Sequence, residues 1–444
     1  MINLFKNLYI HQRFFVYISI IAALFLVSFW VDLLYQVAWL FVLGLAVLFL
    51  FDAFVLFRFK NGIKARRILP DKFSNSDENP VPVTIENKYP IKIFLKVIDE
   101  LPKQFQKRDF ELNTEIATKQ SHNFEYQVRP VERGEYNFGN LNLFVSSSLQ
   151  MVARRYRFDA EQMVAVYPSY IQMRKYEFLA LSNKLTEFGL KKIRRIGHTM
   201  EFEQIKNYVA GDDVRTINWK ATAKRAQLMV NQYQDEKSQP IYSIVDTGRV
   251  MKMPFEELKL LDYAINSTLA LSNIALLKND KAGLLTFSKK LEKLIPASNK
   301  RTHINVINEA LYNVDTKFTD SDFGYLYATI KRKINQRSLL ILYTNFEHIS
   351  SLHRQLPFLK AISRQHLLVT VFFENTELDD LISENVEDLQ SIYHKTIAEK
   401  FAYEKRLIVK ELENRGIHAI LTKPQNLSVN VINKYLEFKA KGLI

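Results

Sequence analysis

The run "IYSIVDTGRVM" at residues 241–251 decides the fold. Its first six residues are mostly apolar and end in an acid, which is how a buried strand of a parallel sheet reads. Toward the C-terminus the same unit recurs. A helical period covers about 255–277. It is followed by "AGLLTFS" (282–288), a helix near 304–314, "SLLILYTNF" (338–346) and a helix near 350–363. Then come "HLLVTVFFEN" (366–375), a long amphipathic helix at 389–414, "IHAILT" (417–422) and a last helix at 429–441. Gly416 stands where a left-handed C′ residue ends a helix. Strands alternating with helices predict an α/β, doubly wound, mostly parallel sheet over 240–444.

Such sheets bind ligands beyond the carboxyl ends of their strands. Those ends here carry Asp246, Thr286, Ser288, Thr344, Asn345, Glu374 and Asn375. An acid backed by hydroxyls two and four residues on would suit Mg²⁺, a hard ion that takes several oxygen ligands. Gly248 and Val250 occupy those two places, so a metal set would reduce to Asp246, Thr302 and the neutral Asn345. The favoured reading of Asp246 is structural: it caps a helix or pairs with Arg249.

Upstream, "VPVTIENKYPIKIFLKVIDELP" (81–102) and "HNFEYQVRPVERGEYNFGNLNLFVSSSL" (122–149) alternate apolar and polar positions, with turns at Gly134 and Gly139. This predicts a small antiparallel β-sandwich over 71–170. Before it lie two stretches without charge, "FFVYISIIAALFLVSFW" (14–30) and "LLYQVAWLFVLGLAVLFLF" (33–51). Each is long enough to cross a bilayer, which takes roughly 17–25 residues. Residues 1–67 therefore read as a transmembrane helical hairpin. Lys6 and Arg13 precede it, Arg58, Lys60, Lys64, Arg66 and Arg67 follow it, and its short turn has neither Lys nor Arg. The expected topology puts both termini and the later domains in the cytoplasm, tethered to the membrane.

Among 444 residues there is no Cys, which excludes a disulfide framework, thiolate metal sites and a Cys nucleophile. The net charge of +14 concentrates in 1–67, with seven basic against two acidic residues, and in 150–240, with sixteen against ten. No aromatic-plus-basic RNA signature and no helix-turn-helix pattern accompanies it, so a membrane surface is the expected partner and nucleic acid is not. The chain has no G-x-S-x-G and no P-loop lysine.

The segment between sandwich and sheet, 171–239, holds "EFEQIKNYVAGDDVRTINWKATAKR" at 201–225. Gly211 turns the chain and Asp212 or Asp213 caps a following helix. That helix places Val214, Ile217 and Ala221 along one face, while Arg215 folds back on the acids or on Glu201 and Glu203. The favoured reading is a buried, salt-bridged knot. A partner surface anchored by Trp219 and Arg215 comes second. Acid–base chemistry by Asp212 and Asp213 with His198 comes third.

This pattern resembles the domain-of-unknown-function fifty-eight family of bacterial membrane proteins, often encoded beside MoxR-type AAA+ ATPases. Glu201, Phe202, Gly211, Asp212, Asp213, Arg215, Ile217, Trp219, Lys220 and Ala223 fit its E-F and G-D-D-x-R-x-I-x-W-K-x-x-A motifs. Lys206, just upstream of Tyr208, departs from the family's usual Arg. The resemblance implies that 240–444 is a von Willebrand factor A-like domain, of whose D-x-S-x-S metal motif only Asp246 remains. Together with the topology and the lack of a catalytic constellation, it leads to the expectation of a membrane-anchored adaptor without enzymatic activity or cofactor, working with a MoxR-type ATPase in protein maturation or remodelling. A Mg²⁺-dependent ligand-binding domain and an uncharacterised hydrolase are the alternatives.

Overall fold

The computed structural model describes residues 7–30, 32–107, 110–181, 200–210, 212–235, 238–256, 258–383 and 389–444. The chain divides into two compact units, Met1–Tyr167 and Pro168–Ile444.

The first unit opens with two apolar helices, Gln12–Val27 and Asp32–Phe57. The first is shorter than the 14–30 expected, because residues 28–30 form a turn. The second runs six residues past the expected end at 51. At 1.5 Å per residue its 26 residues reach about 39 Å, more than the ~30 Å of a bilayer core. Its last turns pack on strands instead. Leu56 is buried in the core of this unit, with Leu45, Phe49, Ala53 and Phe57 packed against it at helical spacing. Asp52, fully buried, accepts the backbone N–H groups of Met151 and Val152, both at 3.0 Å. Arg154 donates to the carbonyls of Leu56 and Phe59, both at 2.7 Å.

The strands form one five-stranded sheet and two three-stranded sheets. The largest runs Leu8–Ile10, Val152–Phe158, Leu141–Ser146, Ile93–Asp99, Glu111–Ile116, all antiparallel. It differs from the expected module in beginning before residue 71, with Leu8–Ile10 on its edge. One pair elsewhere, Gln162–Tyr167 with Lys72–Ser74, is parallel. Under the sheets Arg67 is buried against Asp99 and donates to the carbonyls of Gly139 and Ala160, while the Tyr126 hydroxyl donates to Asp99 at 2.6 Å. Burial pushes the Asp99 carboxyl up, and Arg67 opposes that push.

The second unit is built on a six-stranded sheet. Its order is Leu291–Ser298, Lys281–Phe287, Pro240–Asp246, Leu339–Tyr343, Leu367–Phe373, His418–Thr422. All pairs are parallel except the first. Strand residues alternate between two cores. One takes the helices Leu260–Leu277, His303–Tyr312 and Leu427–Ala440. The other takes Phe323–Lys333, Ile349–Ser363 and Leu389–Asn414. The Leu260–Leu277 helix is apolar enough to cross a membrane, but 89% of it is buried here, so it is a core helix. It starts later than expected because Pro254–Phe255 and Leu258–Lys259 form a short antiparallel pair. Gly416 has φ +75° and the Ile417 N–H returns to the Leu412 carbonyl, the helix stop read from its sequence.

Candidate functional site

The Pro240–Asp246 strand lies between Lys281–Phe287 on one side and Leu339–Tyr343 on the other, so chain direction along the sheet reverses beside it. A doubly wound sheet opens a crevice at such a point. Asp246 stands there, fully buried. Its Oδ1 accepts the Gly248 N–H at 2.8 Å and the Ser321 hydroxyl; its Oδ2 accepts the Thr344 hydroxyl at 2.7 Å. Burial raises its pKa against these donors. Arg249 does not pair with it; that guanidinium meets Asp320 at 3.3 Å on the surface.

The missing hydroxyl of position 248 has a physical explanation. A Cβ on Gly248 would lie 2.1 Å from the Ser321 hydroxyl oxygen and 3.1 Å from the Thr319 carbonyl. Ser321 fills the place that a side chain at 248 would take. The three residues read as a reduced metal set do not assemble into one. Thr302 is exposed ahead of the His303–Tyr312 helix and shares no hydrogen bond with Asp246 or Asn345. The Asn345 Oδ1 accepts from the Lys405 ammonium. Among the described residues no three His, Asp or Glu side chains gather as metal ligands. These residues do not fit Mg²⁺.

Beyond the ends of the neighbouring strands opens a cavity of about 480 Å³. Asn345 and Glu347 reach it from Leu339–Tyr343, and Phe373, Glu374 and Asn375 from Leu367–Phe373. Phe401, Lys405 and Arg406 of the Leu389–Asn414 helix line it as well. Burial pushes the Lys405 ammonium down to about 8, with Glu347 opposing. The strand-end rule located Asn345, Glu374 and Asn375. It missed Lys405, although Ala398, Lys405, Ile408 and Leu412 recur at helical spacing on the buried side.

The motif at 201–225 forms the hairpin Met200–Asn207 with Met229–Asp235 and the turns between them. Glu201 and Phe202 pair by backbone with Gln234 and Tyr233. Gly211 and His198 lie outside the described residues. Asp212 accepts the Val209 N–H and the Lys206 ammonium, both at 3.0 Å, and these hold its carboxyl below the usual range. Tyr208 bonds by its N–H to the Leu228 carbonyl at 2.8 Å. Asp213 caps a 3₁₀ turn, Val214–Thr216, through the Arg215 N–H at 2.9 Å. Ile217 then bridges Val230. Asn218, not an Asp, caps the helix Trp219–Arg225.

The described side chains of the motif are mostly exposed, unlike the expected buried knot, while the side chains of Glu201 and Glu203, expected as partners of Arg215, lie outside the described residues. Trp219 is 70% exposed, Val214 63% and Val209 62%, and Lys220, Lys224 and Arg225 are exposed beside them. Arg215 is exposed and has no ion pair among the described side chains. The carboxylates of Asp212 and Asp213 accept local backbone N–H groups, which shapes turns, and Asp212 also pairs with Lys206.

Residues 204–382 match the family model "Protein of unknown function DUF58". The match is to that segment and not to the rest of the chain. It is also 24% identical over 269 residues to "Uncharacterized protein YeaD" of Bacillus subtilis (strain 168), a match that covers 56% of this chain. The chain spans 64% of the length of that curated relative. Among solved structures, conserved hypothetical protein BatB from Bacteroides thetaiotaomicron is 11% identical, with TM-score 0.30 over 46% of this chain and 99% of its own. The CARDB domain of PF1109 from Pyrococcus furiosus is 14% identical, with TM-score 0.17 over 24% of this chain and 94% of its own. Neither likeness assigns a fold.

Proposed function

We propose that this chain is a membrane-anchored adaptor without catalysis of its own, whose von Willebrand factor A-like unit is held at the cytoplasmic face. Its partner is an AAA+ ATPase of MoxR type, and the pair acts in protein maturation or remodelling. The observation that carries the reading is the exposed DUF58 hairpin. Trp219 and Val214 are large apolar side chains held out by tight, capped turns, and Lys220, Lys224 and Arg225 are exposed on the same short helix as Trp219. An aromatic anchor within a polar rim is how binding energy concentrates in an interface. The basic rim suits an acidic face on the ATPase and would speed encounter more than it tightens binding.

The test is in-cell crosslinking of the full-length protein in its own membranes. Because Trp219 is exposed, Trp219→Ala should leave the fold intact and lower capture of the ATPase by about tenfold or more, the usual loss for an interface anchor. Equal capture of the ATPase by wild type and variant rejects the hairpin as the docking surface.

A further inference from the structure

We infer that the cavity over the ends of the Leu339–Tyr343, Leu367–Phe373 and His418–Thr422 strands is a binding site for a monocarboxylate with a short apolar body. This proposal is independent of the adaptor reading. At about 480 Å³ the cavity is within the usual size of small-ligand sites. Its walls are mostly apolar: Phe255, Leu260, Phe373, Leu378, Phe401 and Leu421. Such a lining takes a hydrocarbon or aromatic group.

The polar end is specific. Lys405 projects into it and donates to the Asn345 Oδ1, and among the described residues no carboxylate lies within ion-pairing distance. An ammonium has three donors, and among the described residues only the Asn345 amide oxygen accepts from it, while Glu347 offsets part of its burial without a hydrogen bond. A carboxylate beside Asn345 supplies both the countercharge and the missing acceptors. Glu347 and Glu374 also line the cavity. Arg406 lines it too, so the lining holds two cations and two carboxylates; the carboxylates oppose a second negative charge on the ligand, and the open donors of Lys405 favour one. The position follows from the fold: strand ends bring Asn345 and Glu374 together, and the Leu389–Asn414 helix lays Lys405 across them.

The experiment is isothermal titration of the full chain, in a neutral detergent, with 3-phenylpropionate and with its uncharged analogue 3-phenylpropionamide. Wild type should bind the acid at least about tenfold more tightly than the amide, the loss expected for a charge-assisted hydrogen bond. Lys405→Met should erase that preference, with melting curves showing that it folds. Ala402→Phe, which fills the cavity from the same helix and keeps Lys405, should abolish binding of both. No binding of the acid by wild type, equal binding of acid and amide, or an unchanged preference in Lys405→Met overturns the proposal. If Lys405→Met does not fold, the acid–amide comparison on wild type still decides.

Discussion

Gly248 is a glycine for want of room, since its φ of −72° suits any residue. The Ser321 hydroxyl sits where its Cβ would go and bonds to Asp246. This explains why the strand-end acid lacks the hydroxyl expected two residues later, and why the sequence could not show it. The substitute comes from a loop 75 positions away. Gly248→Ser should destabilise the fold by about 1–3 kcal/mol through overpacking. Ser321→Gly in the same chain should recover part of that loss, because the two side chains compete for one space. Urea titration of the single and double variants measures the coupling. Additive effects would show that the two positions are independent. Lys405 was hidden for a different reason. A lysine in an amphipathic helix reads as solvated, and only its place in the 398–405–408–412 series marks it as half-buried.

At the scale of elements, the helices and parallel strands of the second unit were legible because their periods are strong. The 389–414 helix and its stop at Gly416 came directly from pattern. The Leu291–Ser298 strand was missed: it is the antiparallel edge, mostly half-buried, and so lacks a two-residue rhythm. The Asp32–Phe57 helix was cut short at 51 because Asp52 reads as the polar end of a span. It is instead the tie between helix and sandwich. Its carboxylate accepts two buried backbone N–H groups at the start of the Val152–Phe158 strand, and Ala53, Leu56 and Phe57 continue the packing beyond it. Asp52→Leu should leave both N–H groups without an acceptor and destabilise this unit by about 2–4 kcal/mol. Thermal melting in detergent, followed by near-ultraviolet circular dichroism, checks this. A variant that melts with wild type would show that the apolar contacts alone hold the joint.

At the scale of the whole molecule, the same tie bears on orientation. Of the five basic residues that follow the second apolar helix, Arg67 is engaged inside the sandwich with Asp99, while Arg58, Lys60, Lys64 and Arg66 are exposed. Four exposed cations within ten residues of the helix end still outweigh a turn without Lys or Arg, so the positive-inside argument survives the loss of one. Anionic lipid adds about 1 kcal/mol of attraction for each such residue near the surface. With the Asp32–Phe57 helix fixed to the sandwich, both units should lie on the side of these cations. The absence of Cys makes the expectation direct to measure, because single cysteines need no background removed. Phe29→Cys, in the turn between the apolar helices and 85% exposed, should react with a membrane-impermeant maleimide in spheroplasts. Lys107→Cys in the first unit and Lys360→Cys in the second, both exposed, should react only after the membrane is opened. The reverse pattern would place the units outside the cytoplasm and remove any ATP-dependent partner. Labelling of all three before opening would mean that the two apolar helices do not cross the membrane.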